Sequence, residues 1–172
     1  MMNDSSDPWE RRLSNLWASL PQLPPEVFLS EMASLVSQLP EGAAIGLFER
    51  GSAQDSTGHP AAAVPLYRSA LAAGLSGVRR RRAVIQLASS LRNTGRCAEA
   101  EALLAQEAQY APDELSGAVT AFWALALSDL GREREALGHA LLALSQHLPR
   151  YNASLGRYAA ELLPSSSKGT PA

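Results

Sequence analysis

The chain has a single cysteine, Cys97, in 172 residues. It can form no internal disulfide, and nothing in the chain calls for an oxidising compartment. Positive charge is not in excess either: 15 Lys and Arg stand against 17 Asp and Glu, a formal net charge of −2. A general nucleic-acid binder needs a basic surplus to displace counterions from phosphates, so that class is set aside. No apolar run reaches about 18 residues, which argues against a helical membrane span. The opening segment (Asn3, Asp4, Asp7, Trp9, Glu10) has neither the basic start nor the apolar core of a signal peptide, so the expected location is the cytoplasm. β-branched residues are sparse while alanine and leucine abound, which favours helix over strand. Hydrophobic residues make up 46%, enough for a packed core rather than wholesale disorder.

Signatures of catalysis are missing as well. His59, His139 and His147 show no metal-ligand spacing on one helical face and read as turn and surface histidines. Cys97 has Arg96 beside it near a helix start, but no histidine follows at a diagnostic spacing for a catalytic thiol. Asp55, Ser56 and His59 are the residue types of a hydrolase triad, yet they lack a nucleophile elbow and fall in a predicted helix and turn. Gly42, Gly46 and Gly51 fit no phosphate-cradling loop. The expectation is a non-enzyme with neither metal nor cofactor.

What the chain does have is punctuation. Gly58, Gly95 and Gly131 stand 37 and 36 residues apart, each followed five residues later by an alanine: Ala63, Ala100, Ala136. Helical patterning flanks each glycine. A period in this range is the mark of a helical-hairpin repeat.

Taken in order, residues 1–7 are polar and expected to be disordered. Asp7-Pro8 reads as an N-cap with proline in the first turn. Trp9, Leu13, Leu16, Trp17 and Leu20 form one apolar stripe, and Phe28, Met32, Leu35, Val36 and Leu39 form a second. Two such helices joined by a short proline-rich link predict a hairpin over 8–40. Three repeats follow over 43–148, with helices near 43–57 and 60–73, 78–93 and 96–110, and 113–130 and 132–147. A last helix over 150–163 carries Tyr151, Leu155, Tyr158, Ala159 and Leu162 on one face and should cover the exposed core of the last repeat, as terminal caps do in solenoids. The Ser-rich stretch 164–172 is too polar to pack. The fold class is all-α.

The pattern resembles the tetratricopeptide repeat family. Seven residues before each turn glycine stands a small residue (Gly51, Ala88, Ala124); twelve after it stand Ala70 and Ala143, with Glu107 breaking the pattern in the second repeat. Small side chains at these places let paired helices approach closely. The segments Ala63-Val64-Pro65-Leu66-Tyr67 and Leu91-Arg92-Asn93-Thr94-Gly95-Arg96 look like a bacterial subgroup, the family's fifth. The resemblance covers about Leu47 to Leu163. It departs in its period, longer than the usual ~34, and in Pro65, which should kink its helix or shift its start.

Stacked hairpins of this kind leave a groove lined by their first helices. Arg82, Gln86, Ser89 and Asn93 share one helical face, bordered by Arg92. Such a polar face could hold an acidic or C-terminal peptide segment. It resembles only part of the family's carboxylate clamp, since matching positions are missing in repeats one and three. The corresponding face of the third repeat offers Phe122, Leu125 and Asp129, an apolar floor for a partner helix, although at least one of Phe122 and Leu125 is expected in the core beside Trp123. Arg79 to Arg82 form a basic run at a helix start, where cations are disfavoured by about 0.3–1 kcal/mol each. That run reads as a solvated end offset by acids such as Glu49 or Glu114. The function implied is a protein-interaction scaffold binding a peptide or helix of another protein, the alternative being self-association with the leading Trp9/Trp17 hairpin docked on a second copy.

Overall fold

The structure is a computed structural model that describes residues 7–164. Of the stretches 1–7 and 164–172 expected to be disordered, residues 1–6 and 165–172 lie outside the described residues. Asp7 caps the first helix as read: its carboxylate accepts the Trp9 amide at 2.9 Å, with Pro8 in the first turn. Helices α1 (Pro8–Ser19) and α2 (Pro25–Val36) are joined through a 3-10 turn at Leu20–Gln22. Then come α3 (Ala44–Ser56), α4 (Pro60–Ala72), α5 (Gly77–Asn93), α6 (Cys97–Glu107), α7 (Ser116–Asp129), α8 (Glu133–Ser145) and α9 (Asn152–Ala160). No strand occurs among the described residues.

The three hairpin turns share one backbone. Gly58, Gly95 and Gly131 all take the left-handed conformation, at φ 86°, 77° and 73°. In each turn the next amide bonds back to the carbonyl five residues earlier: His59 to Gln54 at 2.8 Å, Arg96 to Leu91 at 2.8 Å, Arg132 to Leu127 at 2.9 Å. This Schellman closure satisfies the helix-end carbonyls and needs a positive φ, which glycine adopts without the clash a side chain would bring. The sequence period therefore marks a repeated conformation.

The chain forms two compact units, one reaching Ser90 and the other starting at Leu91, with the division inside α5. In the first, Trp9, Leu13, Leu16, Phe28, Met32 and Leu35 form a core that extends to Ala53 of α3. Gly51 is small for a reason: a Cβ there would lie 2.9 Å from the Tyr67 ring. Pro65 sits inside α4, and the helix nevertheless begins at Pro60 and runs unbroken to Ala72. The carbonyl of Ala61, which loses its helical donor to that proline, belongs to an exposed residue and can be satisfied by water.

In the second unit Ala124, Leu127 and Ala136 pack with Trp123 between α7 and α8. Glu107 occupies the alanine place of its repeat and is buried all the same, 2% exposed. Helix α7 begins at Ser116 rather than Asp113. Asp113 builds the entry turn instead, its carboxylate accepting the Leu115 amide at 2.9 Å and its amide donating to Ser116 Oγ at 2.8 Å.

The last helix corrects an expectation. Of its apolar face only Ala159 is fully buried, while Tyr151 and Tyr158 are 78% and 57% exposed. Helix α9 meets α8 at Gly138, where an added Cβ would lie 3.1 Å from the Ala159 carbonyl. The Leu162 and Leu163 side chains also lie against Gly138, so this side of the helix meets α8 and the tyrosines do not.

Candidate functional site

On the first unit, α5 presents Arg82, Gln86 and Ser89. Arg82 is exposed, its guanidinium 5.4 Å from the centre of the buried Phe48 ring. Gln86 accepts the Ser52 hydroxyl at 3.2 Å, and Ser89 is half-buried. Two of the three predicted residues are thus tied to α3. The basic run is largely absorbed into the fold. Arg79 donates to Glu10 at 2.6 Å and to Glu49 at 3.2 Å, and Arg81 is buried. Glu49 is the acid expected to offset the run, and Trp17 Nε1 also donates to it, at 2.9 Å.

Beneath this face lies a polar layer that no motif announced. Burial pushes the Glu49 carboxyl above its usual range, against the pull of Trp17, Arg79 and Arg82. Burial likewise raises Asp55, against hydrogen bonds from Ser90 and Tyr67. The Tyr67 hydroxyl is buried, with Ser52 and Asp55 as its polar neighbours. Its pKa is raised by burial first, with the nearby Asp55 adding to the shift. The residue types were visible in the sequence, but their convergence from α3, α4 and α5 was not.

The leading tryptophans are used inside this unit. Trp9 Nε1 donates to the Leu35 carbonyl at 3.0 Å, while Trp17 packs against Phe28 with ring centres 5.2 Å apart and planes tilted by 58°. The unit also holds two open clefts. One of about 560 Å³ lies between α2 and α3 beside Val36, Ala43, Leu47 and Arg50. The other, of about 580 Å³, is lined by Trp9, Glu10, Ile45, Leu75, Val78 and Arg79.

On the second unit, Arg92 and Asp129 meet: Arg92 Nε donates to Asp129 Oδ2 at 2.6 Å. The Cys97 thiol points at the same oxygen from 3.8 Å. Asn93 is exposed. Phe122, Leu125 and Asp129 fall at i, i+3 and i+7 on α7 and so share its face. Phe122 is half-buried and Leu125 is 46% exposed. The result is a short apolar floor edged by an ion pair.

Behind that floor Trp123 stacks on His139 with ring centres 4.0 Å apart, and its Nε1 donates to Glu101 at 3.2 Å. Arg132 bridges Glu101 at 3.3 Å and forks onto Glu135 at 2.8 and 2.9 Å. His139 is therefore not a surface histidine. It is buried, and burial holds its pKa below the usual value, with Glu135 opposing and Arg132 assisting. His59 and His147 are exposed as read.

Among the described residues no group of three His, Cys, Asp or Glu gathers to hold a metal ion. No described helix is long and apolar enough to cross a membrane. A family model described as Tetratrico peptide repeat matches residues 44–162. No curated protein and no solved structure matches the chain.

Proposed function

Because the chain belongs to the tetratricopeptide repeat family, a family of protein-interaction modules, we propose that it is a non-enzymatic scaffold whose α7 face takes a peptide or helix of another, cytoplasmic protein. The reading treats 43–148 as three repeats, 8–40 as a leading hairpin and 150–163 as a cap. Its main support is Leu125, a large apolar side chain left half open on a face where Phe122 already supplies floor. Apolar area of this kind, rimmed by polar groups, is what a partner's side chain covers on docking. Arg92 carries five N–H donors, of which Asp129 engages Nε. Guanidinium N–H groups pair well with a carboxylate, and the exposed Asn93 amide can bond a peptide backbone. Arg82, Gln86 and Ser89 of the first unit form a separate, more polar face that serves as a secondary candidate.

Panning a displayed peptide library on the purified protein tests this. The expected ligands carry an apolar residue near an acidic one. They lose about tenfold or more in affinity, roughly 1.4 kcal/mol, against Leu125→Asp, while that variant melts as the wild type does. Failure to enrich any peptide, or affinity unchanged in Leu125→Asp, overturns the reading.

A further inference from the structure

His139 lies in α8 under Trp123 of α7, with 8% of its surface exposed and the two ring planes 34° apart. Among the described residues neither of its ring nitrogens makes a hydrogen bond. A neutral imidazole tolerates that. An imidazolium carries two N–H donors and a charge, and both need partners. The charged groups around it are engaged elsewhere. On α8, Glu135 is held by the Arg132 fork at 2.8 and 2.9 Å. On α6, Glu101 accepts Trp123 Nε1 at 3.2 Å and Arg132 at 3.3 Å. From α9, the residues against the adjoining Gly138 are Ala159, Leu162 and Leu163, and none of them titrates. Burial, with Arg132 assisting, accordingly holds the His139 pKa below its usual value, although Glu135 and Glu101 oppose.

The same stack seats α7. The core between α7 and α8 is small, made of Ala124, Leu127 and Ala136 with Trp123. Trp123 is its bulkiest member and the chain neighbour of Phe122, whose face of α7 also carries Leu125. Loss of the contact beneath Trp123 therefore removes the largest packing surface from behind that face. His147, the other histidine of this unit, is exposed and lies against Gly117 at the start of α7.

We propose that the Trp123–His139 stack is a proton-operated latch on α7: closed around a neutral His139 it seats the Phe122 and Leu125 face for a partner, and protonation opens it and releases that partner. Release of a partner rests on the α7 face being the binding site; the latch does not. The open form takes up its proton at the ordinary histidine value of about 6.5. The closed form does so only at lower pH, so each pH unit between the two favours opening by up to about tenfold.

An NMR titration of the full chain from about pH 7.5 to about pH 5 reads the latch. It follows the His139 ring protons, the Trp123 indole N–H and the Leu125 methyls. All three move together with a midpoint below about 6.5. In His139→Gln the Trp123 and Leu125 signals stay still, and His147→Gln leaves the transition in place. If His139→Gln melts low already at neutral pH, His139→Leu, which puts an uncharged apolar side chain under Trp123, takes its place. Trp123 and Leu125 signals that do not move, or that move equally in the His139 variants, overturn the proposal. So does a transition that disappears in His147→Gln.

Binding gives the second reading. A peptide enriched on the α7 face loses up to about tenfold in affinity per pH unit below about 6.5 on the wild type, and keeps its affinity on His139→Gln. Equal losses on both proteins overturn the coupling to the face. If no peptide is enriched, the binding assignment fails, and the Trp123 and Leu125 signals still decide the latch.

Discussion

Single side chains decide the pH response of this protein, and two of them act in opposite directions. Burial against Trp123 holds the His139 pKa below its unfolded value of 6.5. As pH falls below that value the unfolded chain takes up the proton first, so the unfolded state gains and the fold loses stability. The urea midpoint should drop between about pH 7 and about pH 5, and His139→Gln should flatten that part of the slope. Glu49 works the other way. Its folded pKa lies above 4.5, so the folded state holds a proton that the unfolded state has released, and this contribution fades as pH rises through the folded value. At neutral pH Glu49→Gln, which keeps an acceptor for Trp17, should stay within about 1 kcal/mol of the wild type. Glu49→Leu leaves the Trp17 donor and one Arg79 donor without an acceptor and should cost about 2–4 kcal/mol. Denaturant titrations of the two variants separate these outcomes.

At the scale of the element, glycines of two kinds predict opposite signs. Gly95 and Gly131 hold the hairpin turns at positive φ. Alanine at either place pays the left-handed penalty and should lower stability by about 1–2 kcal/mol. Gly117 lies inside α7 with ordinary backbone, and an added Cβ meets only the His147 imidazole at 3.4 Å, the free end of an exposed side chain. Gly117→Ala should therefore raise stability by about 0.5–1 kcal/mol. Thermal melts of the three alanine variants would refute the assignment if all moved the same way. Gly138→Val is a third case: its side chain runs into the Ala159 carbonyl and should lift α9 off α8. Limited proteolysis would then cut near residues 150–160 while the α7–α8 pair stays intact.

At the scale of the whole molecule, the family match and the core disagree about where the folding unit begins. The match starts at residue 44. The core does not: Phe28, Met32 and Leu35 pack in the cluster that includes Ala53, and Trp17 holds Glu49 from across the hairpin. A chain beginning at residue 43 would expose this apolar surface and strip the buried Glu49 of one donor. Its circular dichroism melt should be broad and low compared with the full chain, and an unchanged melt would show that α1 and α2 are dispensable.

The all-α class, the turns at Gly58, Gly95 and Gly131, the small residues at Gly51, Ala88 and Ala124, and the Asp7 cap follow from the sequence alone. Each rests on short-range rules, periodicity, backbone freedom and steric size, that act within one helix or one turn. Tertiary structure decided the rest. Arg79 turned inward because α1 and α3 bring Glu10 and Glu49 to it, and His139 became buried because α7 sets Trp123 over it. Arg92 and Asp129, 37 residues apart in the chain, met as a pair, while Leu125 stayed open beside them. Tyr151 and Tyr158 carry the spacing of a core stripe yet face outward, because the close approach at Gly138 fixes how far α9 can roll. Which side of an amphipathic helix finds a neighbour depends on the neighbour, and spacing within one segment carries no record of it.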